Sequence, residues 1–185
     1  MKPKKLFFSL MAFIIIVIAG CSQKTQENTQ VNNEFDRLQK LSDMAVEHPN
    51  NEIPDFQLTD NKGFNVTRAS MKGKVYIIQG FAPGCSSCAK EIETLNKIYE
   101  KFRGKEFDII SLDVASETIE GAVETKNQFN GGDWRWAIDT DNVALKLKME
   151  SLESTYIMDR DGIIKYKDEK ISNADELSKE IETII

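Results

Sequence analysis

Short apolar runs alternate with longer amphipathic segments from about residue 52 to the end of the chain. Two nearly continuous apolar runs, 75–80 and 107–114, predict buried strands, because a strand covered on both faces has no polar side. Apolar residues at helical spacing predict helices, and turn residues bound each of them. The predicted helices cover 86–102, 117–129, 142–149 and 173–185; the remaining predicted strands are 134–138 and the hairpins 56–66 and 155–167.

Strands that alternate with helices and end in a hairpin and a helix predict an α/β fold. We expect a central mixed β-sheet with helices on both faces, preceded by the hairpin 56–66 as an N-terminal extension. One domain over 52–185 accounts for these elements. Upstream, the polar residues 22–33 predict a flexible tether. Residues 34–48 carry apolar side chains at helical spacing, which fits a short helix packed on the domain or a linker helix.

The first 20 residues have the pattern of a targeting segment. A basic start precedes the apolar run 6–20, which is shorter than the roughly 20 residues that a membrane-spanning helix needs. A signal peptide over 1–20 is the favoured interpretation. The block 18–21 resembles the lipobox of secreted lipoproteins, in which the cysteine, here Cys21, carries the lipid. A short uncleaved anchor is the alternative, and both place residues 21–51, as a tether, and the domain on the extracytoplasmic face of the cell membrane.

Composition narrows the range of partners. Hydrophobic residues make up 41% and charged residues 29% of the chain, as in a folded soluble domain, and the net charge is −6. The lysines before the apolar run carry +3, so a product that starts at Cys21 has a net charge near −9. Such a surface disfavours nucleic acid and anionic lipid headgroups as partners.

The chemistry of the chain is concentrated at Cys85 and Cys88, between the buried strand 75–80 and the helix 86–102. A cysteine at a helix N-terminus faces unpaired backbone N–H groups and the positive end of the helix dipole, which stabilise a thiolate. The pKa of Cys85 should therefore fall below the free value of about 8.5. Cys85 is the predicted nucleophile toward a disulfide, and Cys88, one turn deeper, is the resolving thiol.

Two other interpretations of the pair have less support in the sequence. A structural zinc site needs two further ligands, and only Cys21 and His48 remain, both before the domain. A purely structural disulfide at this spacing closes a very small loop and contributes little stability.

Several segments over 52–185 resemble the membrane-anchored thioredoxins of the TlpA/ResA kind. The shared features are Pro54-Asp55-Phe56, Gly73-Lys74, Ala82 with the Cys85/Cys88 pair, Glu91, and the turn 159–162. The resemblance implies a thioredoxin fold and exchange of dithiol and disulfide with extracytoplasmic proteins, mostly in the reducing direction and often in cytochrome c maturation. It also implies a membrane thiol carrier as electron donor. We expect a monomer that uses no cofactor and no metal.

Three positions depart from that family. Gly84 stands where an aromatic residue is usual, Ser86-Ser87 lacks the common proline, and Glu153 occupies the position of the family's cis-proline. A cis bond without proline costs about 3 kcal/mol, so the Leu152–Glu153 peptide is predicted to be trans.

The resemblance also indicates candidate residues for proton transfer at the site. Glu91 matches an acidic residue that lies close to the cysteines in the family. Glu153, if it lies beside Cys85, would raise the pKa of the thiol or relay its proton; the alternative is a solvated loop carboxylate. Gln79 stands where many thioredoxins have a buried aspartate, so no base is expected there.

Other polar and aromatic positions carry weaker predictions. Trp134 and Trp136 flank Arg135, and we expect one ring inside and the other on the surface. Asp139 and Asp141 fit an acidic turn before a helix better than a cation site.

Two rival functions remain open from the residues. A thiol peroxidase normally has threonine or serine where this chain has Ala82, and an arginine at the site, for which Arg68 and Arg103 are the candidates. A binding module resembling the Sco proteins needs a histidine near the fourth strand, and none follows His48.

Overall fold

The computed structural model of the protein describes residues 50–185. The predicted signal peptide 1–20, the lipid attachment at Cys21, the tether up to residue 49 and its helix 34–48 lie outside the described residues. Within 50–185 no helix combines the length and the apolar character needed to cross a bilayer.

The main sheet has five strands in the order β5-β4-β3-β6-β7. The three strands β3, β4 and β5 run parallel, and β6 and β7 complete the sheet as an antiparallel hairpin. The strands are β3 Val75–Phe81, β4 Phe107–Asp113, β5 Arg135–Ile138, β6 Thr155–Met158 and β7 Ile164–Asp168. This confirms the predicted mixed sheet.

The central strand β3 is buried along its whole length. Its side chains alternate between two faces, as the two-residue period of a strand requires. Val75 and Ile77 pack in one apolar cluster, and Tyr76 and Ile78 pack in the other. A strand that is covered on both faces and paired on both edges fixes the position of its own carboxyl end, where residue 81 leads into the Cys-x-x-Cys segment.

Helices cover both faces, as predicted. They are α1 Arg68–Met71, α2 Ser86–Phe102, α3 Ile119–Gln128, α4 Val143–Lys146 and α5 Ala174–Glu182. One face packs against α2, α3 and α5, and the other against α1, α4 and the small hairpin. Helix α1 was not predicted. Helix α4 is shorter than the predicted 142–149 because Lys148 adopts a left-handed conformation with φ of 48°.

The small hairpin forms a separate two-stranded sheet of β1 Gln57–Thr59 and β2 Asn65–Thr67. Its turn is held by the buried Asp60, whose carboxylate accepts hydrogen bonds from the backbone N–H groups of Lys62 and Phe64 at 2.9 Å. The other oxygen of Asp60 forms an ion pair with Arg135 at 2.7 Å. This contact attaches the predicted N-terminal extension to the edge strand of the main sheet.

The prediction for the two tryptophans was wrong. Trp134 and Trp136 are both buried, and their rings stack with centroids 5.5 Å apart. Residues two positions apart lie on the same side of an extended chain, so the intervening Arg135 takes the other side. Two glycines make room for the rings: a Cβ on Gly131 would lie 2.2 Å from Trp136, and one on Gly132 would lie 2.3 Å from Trp134.

We therefore expect Gly131→Ala to lower the free energy of unfolding by about 2 to 3 kcal/mol, because the added methyl overlaps a buried ring. The measurement is chemical denaturation of the purified variant. Gly104→Ala is the matched control: its Cβ meets no atom within 4 Å, and only the φ of 83° is unfavourable, at about 1 kcal/mol. A smaller loss for Gly131→Ala than for Gly104→Ala would contradict the packing described here.

Candidate active site

Cys85 and Cys88 form a disulfide at the N-terminus of α2. Cys85 is the residue that caps the helix, and its sulfur accepts a hydrogen bond from the backbone N–H of Cys88 at 3.2 Å. Cys88 is fully buried in the apolar cluster beneath α2, whereas Cys85 is partly exposed. The two sulfurs therefore differ in access: only that of Cys85 can be reached by a large substrate.

The backbone before Cys85 explains the missing aromatic residue. Gly84 has φ of 75°, a conformation that residues with a side chain rarely adopt, and a Cβ there would meet no atom within 4 Å. No side chain at position 84 covers the sulfur of Cys85. Position 84 has space for a side chain, so the left-handed backbone conformation, and not crowding, explains why glycine stands there.

The loop that replaces the family's cis-proline segment lies beside this turn. It connects α4 to β6 and approaches β3 at Gly80, whose N–H donates to the carbonyl of Ser154 at 3.2 Å. A Cβ at position 80 would lie 3.2 Å from the carbonyl oxygen of Leu152, so the glycine permits the close approach. Residues 50–185 contain no cis peptide bond, which confirms the predicted trans Leu152–Glu153 bond.

Glu153 reaches the reactive pair through Ser87. The hydroxyl of Ser87 donates to the Glu153 carboxylate at 3.2 Å and lies 3.3 Å from the sulfur of Cys85. The sequence left open whether Glu153 lies beside Cys85 or in a solvated loop; the side chain is half-buried and bonded to Ser87. The intermediate role of Ser87 was missed, because the contact joins residues that are 66 positions apart.

Glu169 anchors the same loop from the end of β7. Its carboxylate accepts hydrogen bonds from the hydroxyl of Ser154 at 2.5 Å and from the N–H of Glu150 at 3.2 Å. Its carbonyl accepts from the Ser151 hydroxyl at 2.8 Å. Sequence reasoning missed Glu169, although the pairing of Thr155 with Asp168 in the β6–β7 hairpin puts residues 154 and 169 next to each other.

Glu91 is fully buried one turn beyond Cys88 on α2. Its carboxylate accepts hydrogen bonds from the Thr155 hydroxyl at 2.8 Å and from the backbone N–H of Ser172 at 2.7 Å. Burial raises the pKa of Glu91, and these two hydrogen bonds oppose the rise in part. A buried carboxyl of this kind can hold a proton at a pH where an exposed glutamate is ionised.

Gln79 belongs to a buried polar chain under the site. The Ser111 hydroxyl donates to the Gln79 side-chain carbonyl at 3.2 Å and accepts from the Trp134 indole N–H at 2.9 Å. The Gln79 amide also donates to the carbonyl of Gly80. These groups satisfy one another and contain no ionisable side chain.

The remaining acidic candidates have structural roles. Asp139 accepts hydrogen bonds from the N–H groups of Val143 and Ala144, and so caps α4. Asp141 forms an ion pair with Lys146 at 2.8 Å. Over residues 50–185 no group of three or more histidine, cysteine or acidic side chains is arranged to hold a metal ion.

Comparison with known proteins agrees with this site. The profile of the Redoxin family matches residues 48–185. The chain belongs to the Redoxin family. Among curated relatives, the thiol-disulfide oxidoreductase ResA of Bacillus thuringiensis (strain Al Hakam) is 30% identical over 112 residues, which are 60% of this chain and 64% of that protein. The chain thus spans less than two thirds of the length of that relative.

Solved structures share the fold of this Redoxin-family chain. A putative DsbE thiol:disulfide interchange protein from Chlorobium tepidum superposes with a TM-score of 0.67 at 18% identity, over 75% of this chain and 99% of the other. A putative protein disulfide isomerase from Bacteroides thetaiotaomicron gives a TM-score of 0.64 at 24% identity, over 75% and 89%. The predicted thioredoxin fold and the predicted relation to proteins of the TlpA/ResA type are confirmed.

The raised pKa of Glu91 has a consequence for stability. The folded protein keeps a proton on Glu91 that the unfolded chain releases near the ordinary pKa of 4.5. The contribution of Glu91 to the free energy of unfolding therefore falls as pH rises from 4.5 through the raised pKa of the folded state. Glu91→Gln removes this titration, so its stability relative to wild type should increase with pH over that window and level off above it.

Guanidinium denaturation at a series of pH values measures this difference. Glu93→Gln, at an exposed position of the same helix, controls for the loss of one charge. A stability difference between Glu91→Gln and wild type that does not change with pH would contradict the assignment.

Proposed function

We propose that the protein is an extracytoplasmic thiol–disulfide oxidoreductase that acts through Cys85 and Cys88. The observation that carries the proposal is the asymmetric disulfide at a helix N-terminus: the sulfur of Cys85 is accessible and accepts a backbone N–H, and Cys88 is buried one turn deeper. The name of the ResA relatives, thiol-disulfide oxidoreductase, supports the same activity.

The geometry favours a two-step exchange. In the reduced protein the thiolate of Cys85 attacks one sulfur of a substrate disulfide, a mixed disulfide forms, and the first substrate sulfur leaves as a thiolate. Cys88 then loses its proton and attacks the sulfur of Cys85, which releases the second substrate thiolate. The substrate gains two electrons and two protons, and the protein returns to the Cys85–Cys88 disulfide.

The reducing direction and a membrane thiol donor belong to the same proposal, with cytochrome c maturation as the process that the family resemblance implies. A protein substrate would meet a surface with exposed apolar side chains beside the pair. Val114 is 38% exposed and its N–H bonds the carbonyl of Phe81 just before the motif, and Leu152 is 37% exposed in the adjacent loop. The acidic chain as a whole favours proteins over nucleic acids.

The peroxidase alternative has no support in the site. Ala82 offers no hydroxyl three residues before Cys85. Arg68 forms ion pairs with Glu52 and Asp55, and Arg103 caps the far end of the 17-residue helix α2 and pairs with Glu100. Neither guanidinium lies where it would hold a peroxide against Cys85.

The Cys88→Ser variant tests the function. With the resolving thiol removed, mixed disulfides on Cys85 should accumulate when the variant is expressed in its host, and they should be isolable under non-reducing conditions. Cys85→Ser is the matched control and should trap nothing. Absence of any trapped protein, together with an unreactive Cys85 in alkylation assays, would contradict the proposal; rapid consumption of hydrogen peroxide by the wild type would favour the peroxidase instead.

We also propose that Cys21 carries a lipid that anchors the protein to the membrane. The lipobox-like block 18–21 supports this location. Cys21→Ala should move the protein from the membrane fraction to the soluble extracytoplasmic fraction, as measured by detergent phase partition and immunoblotting. Cys85→Ser should stay with the membrane. Equal membrane retention of wild type and Cys21→Ala would overturn the anchor.

A further inference from the structure

Ser87 lies between two groups that compete for its single hydroxyl proton. Its oxygen is 3.3 Å from the sulfur of Cys85 and 3.2 Å from the carboxylate of Glu153. A serine hydroxyl donates one hydrogen bond and accepts others. In the disulfide state the carboxylate is the stronger acceptor, so the hydroxyl donates to Glu153 and turns a lone pair toward the sulfur.

Reduction changes this balance. If the sulfur of Cys85 becomes a thiolate while Glu153 is ionised, two anions face one donor. If Cys85 keeps its proton, the thiol donates to Ser87 and Ser87 still donates to Glu153, so each acceptor in the chain has a donor. The hydrogen-bond geometry therefore favours the protonated thiol and opposes the helix dipole, which favours the thiolate.

We propose that Ser87 and Glu153 form a proton relay that serves Cys85. The proposal rests on the proposed thiol–disulfide exchange and adds two residues to it. Ser87 contacts the reacting sulfur directly, and Glu153 is a positioning residue that acts through Ser87.

The relay gives the proton of the Cys85 thiol an acceptor in the first step of the exchange. The proton of the Cys85 thiol moves to the Ser87 oxygen while the hydroxyl proton of Ser87 moves to the Glu153 carboxylate. The thiolate of Cys85 attacks the substrate disulfide, a new sulfur–sulfur bond forms, and the old one breaks. Glu153 then returns a proton through the Ser87 hydroxyl to the leaving thiolate of the substrate, so Glu153 ends the step ionised.

The loop holds Glu153 in place for this role. The next residue, Ser154, donates its hydroxyl to the carboxylate of Glu169, and its carbonyl accepts from the N–H of Gly80 on β3. These contacts fix the loop in the absence of the family's proline. Glu153 therefore faces Ser87 from a loop anchored to both β3 and the end of β7.

Several other ionisable groups lie at this end of the sheet. They are Cys88 and Glu91 on α2, Glu150 on the loop, and Asp113, Lys167, Asp168 and Glu169 at the ends of β4 and β7. Lys167 forms an ion pair with Glu169 at 2.6 Å, and Glu91 bonds Thr155 and Ser172. The contacts of Asp113 are to the N–H groups of residues 115 and 116. Among residues 50–185, Glu153 is the one carboxylate that a hydroxyl connects to Cys85.

The test is a pH profile of Cys85 alkylation in the Cys88→Ser background, which leaves the backbone N–H donor of residue 88 in place. Iodoacetamide modification of the peptide that contains Cys85 is followed by mass spectrometry from pH 5 to 10, in the full chain. Glu153→Gln should move the midpoint of the profile down by about one pH unit. Below both midpoints this makes alkylation about tenfold faster at a given pH.

Ser87→Ala separates the relay from simple charge repulsion. If the Glu153 charge acts through space alone, Glu153→Gln shifts the alkylation midpoint equally with serine or alanine at position 87. The relay requires that this shift fall by at least half with alanine. Ser87→Thr, which keeps the hydroxyl, should restore the full effect. Thermal unfolding of each variant establishes that the comparison is made on folded protein.

Glu150→Gln is the matched control, because Glu150 is an exposed carboxylate on the same loop without a bond to Ser87. A midpoint shift from Glu150→Gln as large as that from Glu153→Gln would overturn the relay, as would an equal effect of Glu153→Gln in both position-87 backgrounds. Reduction of insulin disulfides by the wild type is measured in parallel: its absence would overturn the proposed function, and its presence with no relay effect would overturn the relay alone.

Discussion

The junction of a buried strand with an exposed helix N-terminus determines the arrangement of the whole site. Strand β3 pairs with β4 on one side and β6 on the other, and all seven of its residues are buried. Its carboxyl end is therefore fixed, and α2 begins five residues later, at Ser86, with Cys85 as its cap. The free N–H groups of the first helical turn and the dipole of a 17-residue helix act on that one sulfur. The sulfur of Cys88 lies in the core, one helical turn further along α2.

The polar groups around this junction come from three other parts of the chain. Antiparallel pairing of β6 with β3 brings Thr155 against Glu91, and the segment before α5 adds the N–H of Ser172. The loop before β6 adds Glu153 on the exposed side. One carboxyl is thus buried and has a raised pKa, and the other is half-exposed and bonded to a hydroxyl. Their environments differ enough for the two carboxyls to play different parts around one disulfide.

Most of the helices and strands could be predicted from the sequence. In the long elements the apolar residues repeat often enough to show a clear helical or strand period. Helix 86–102 was predicted with the bounds that the structure shows, and β3 differed by one residue. Helix α1 has four residues, too few for a period, and its only local signal was the capping box of Thr67 and Ser70. The tryptophan prediction failed because residues two apart share a side of the chain. The contacts of Ser87 and Glu169 depend on the position of a loop that is distant in sequence. No local sequence pattern determines that position.

A redox titration of the purified protein tests the central claim most directly. The protein is equilibrated with buffers of reduced and oxidised dithiothreitol over a range of ratios, and the free thiols of Cys85 and Cys88 are counted after acid quenching. We expect one reversible two-electron transition, in which both thiols appear together and the ratio of reduced to oxidised protein changes tenfold for about 30 mV. A pair that stays oxidised throughout, or that fails to re-form its disulfide on reoxidation, would contradict the claim that this site exchanges disulfides.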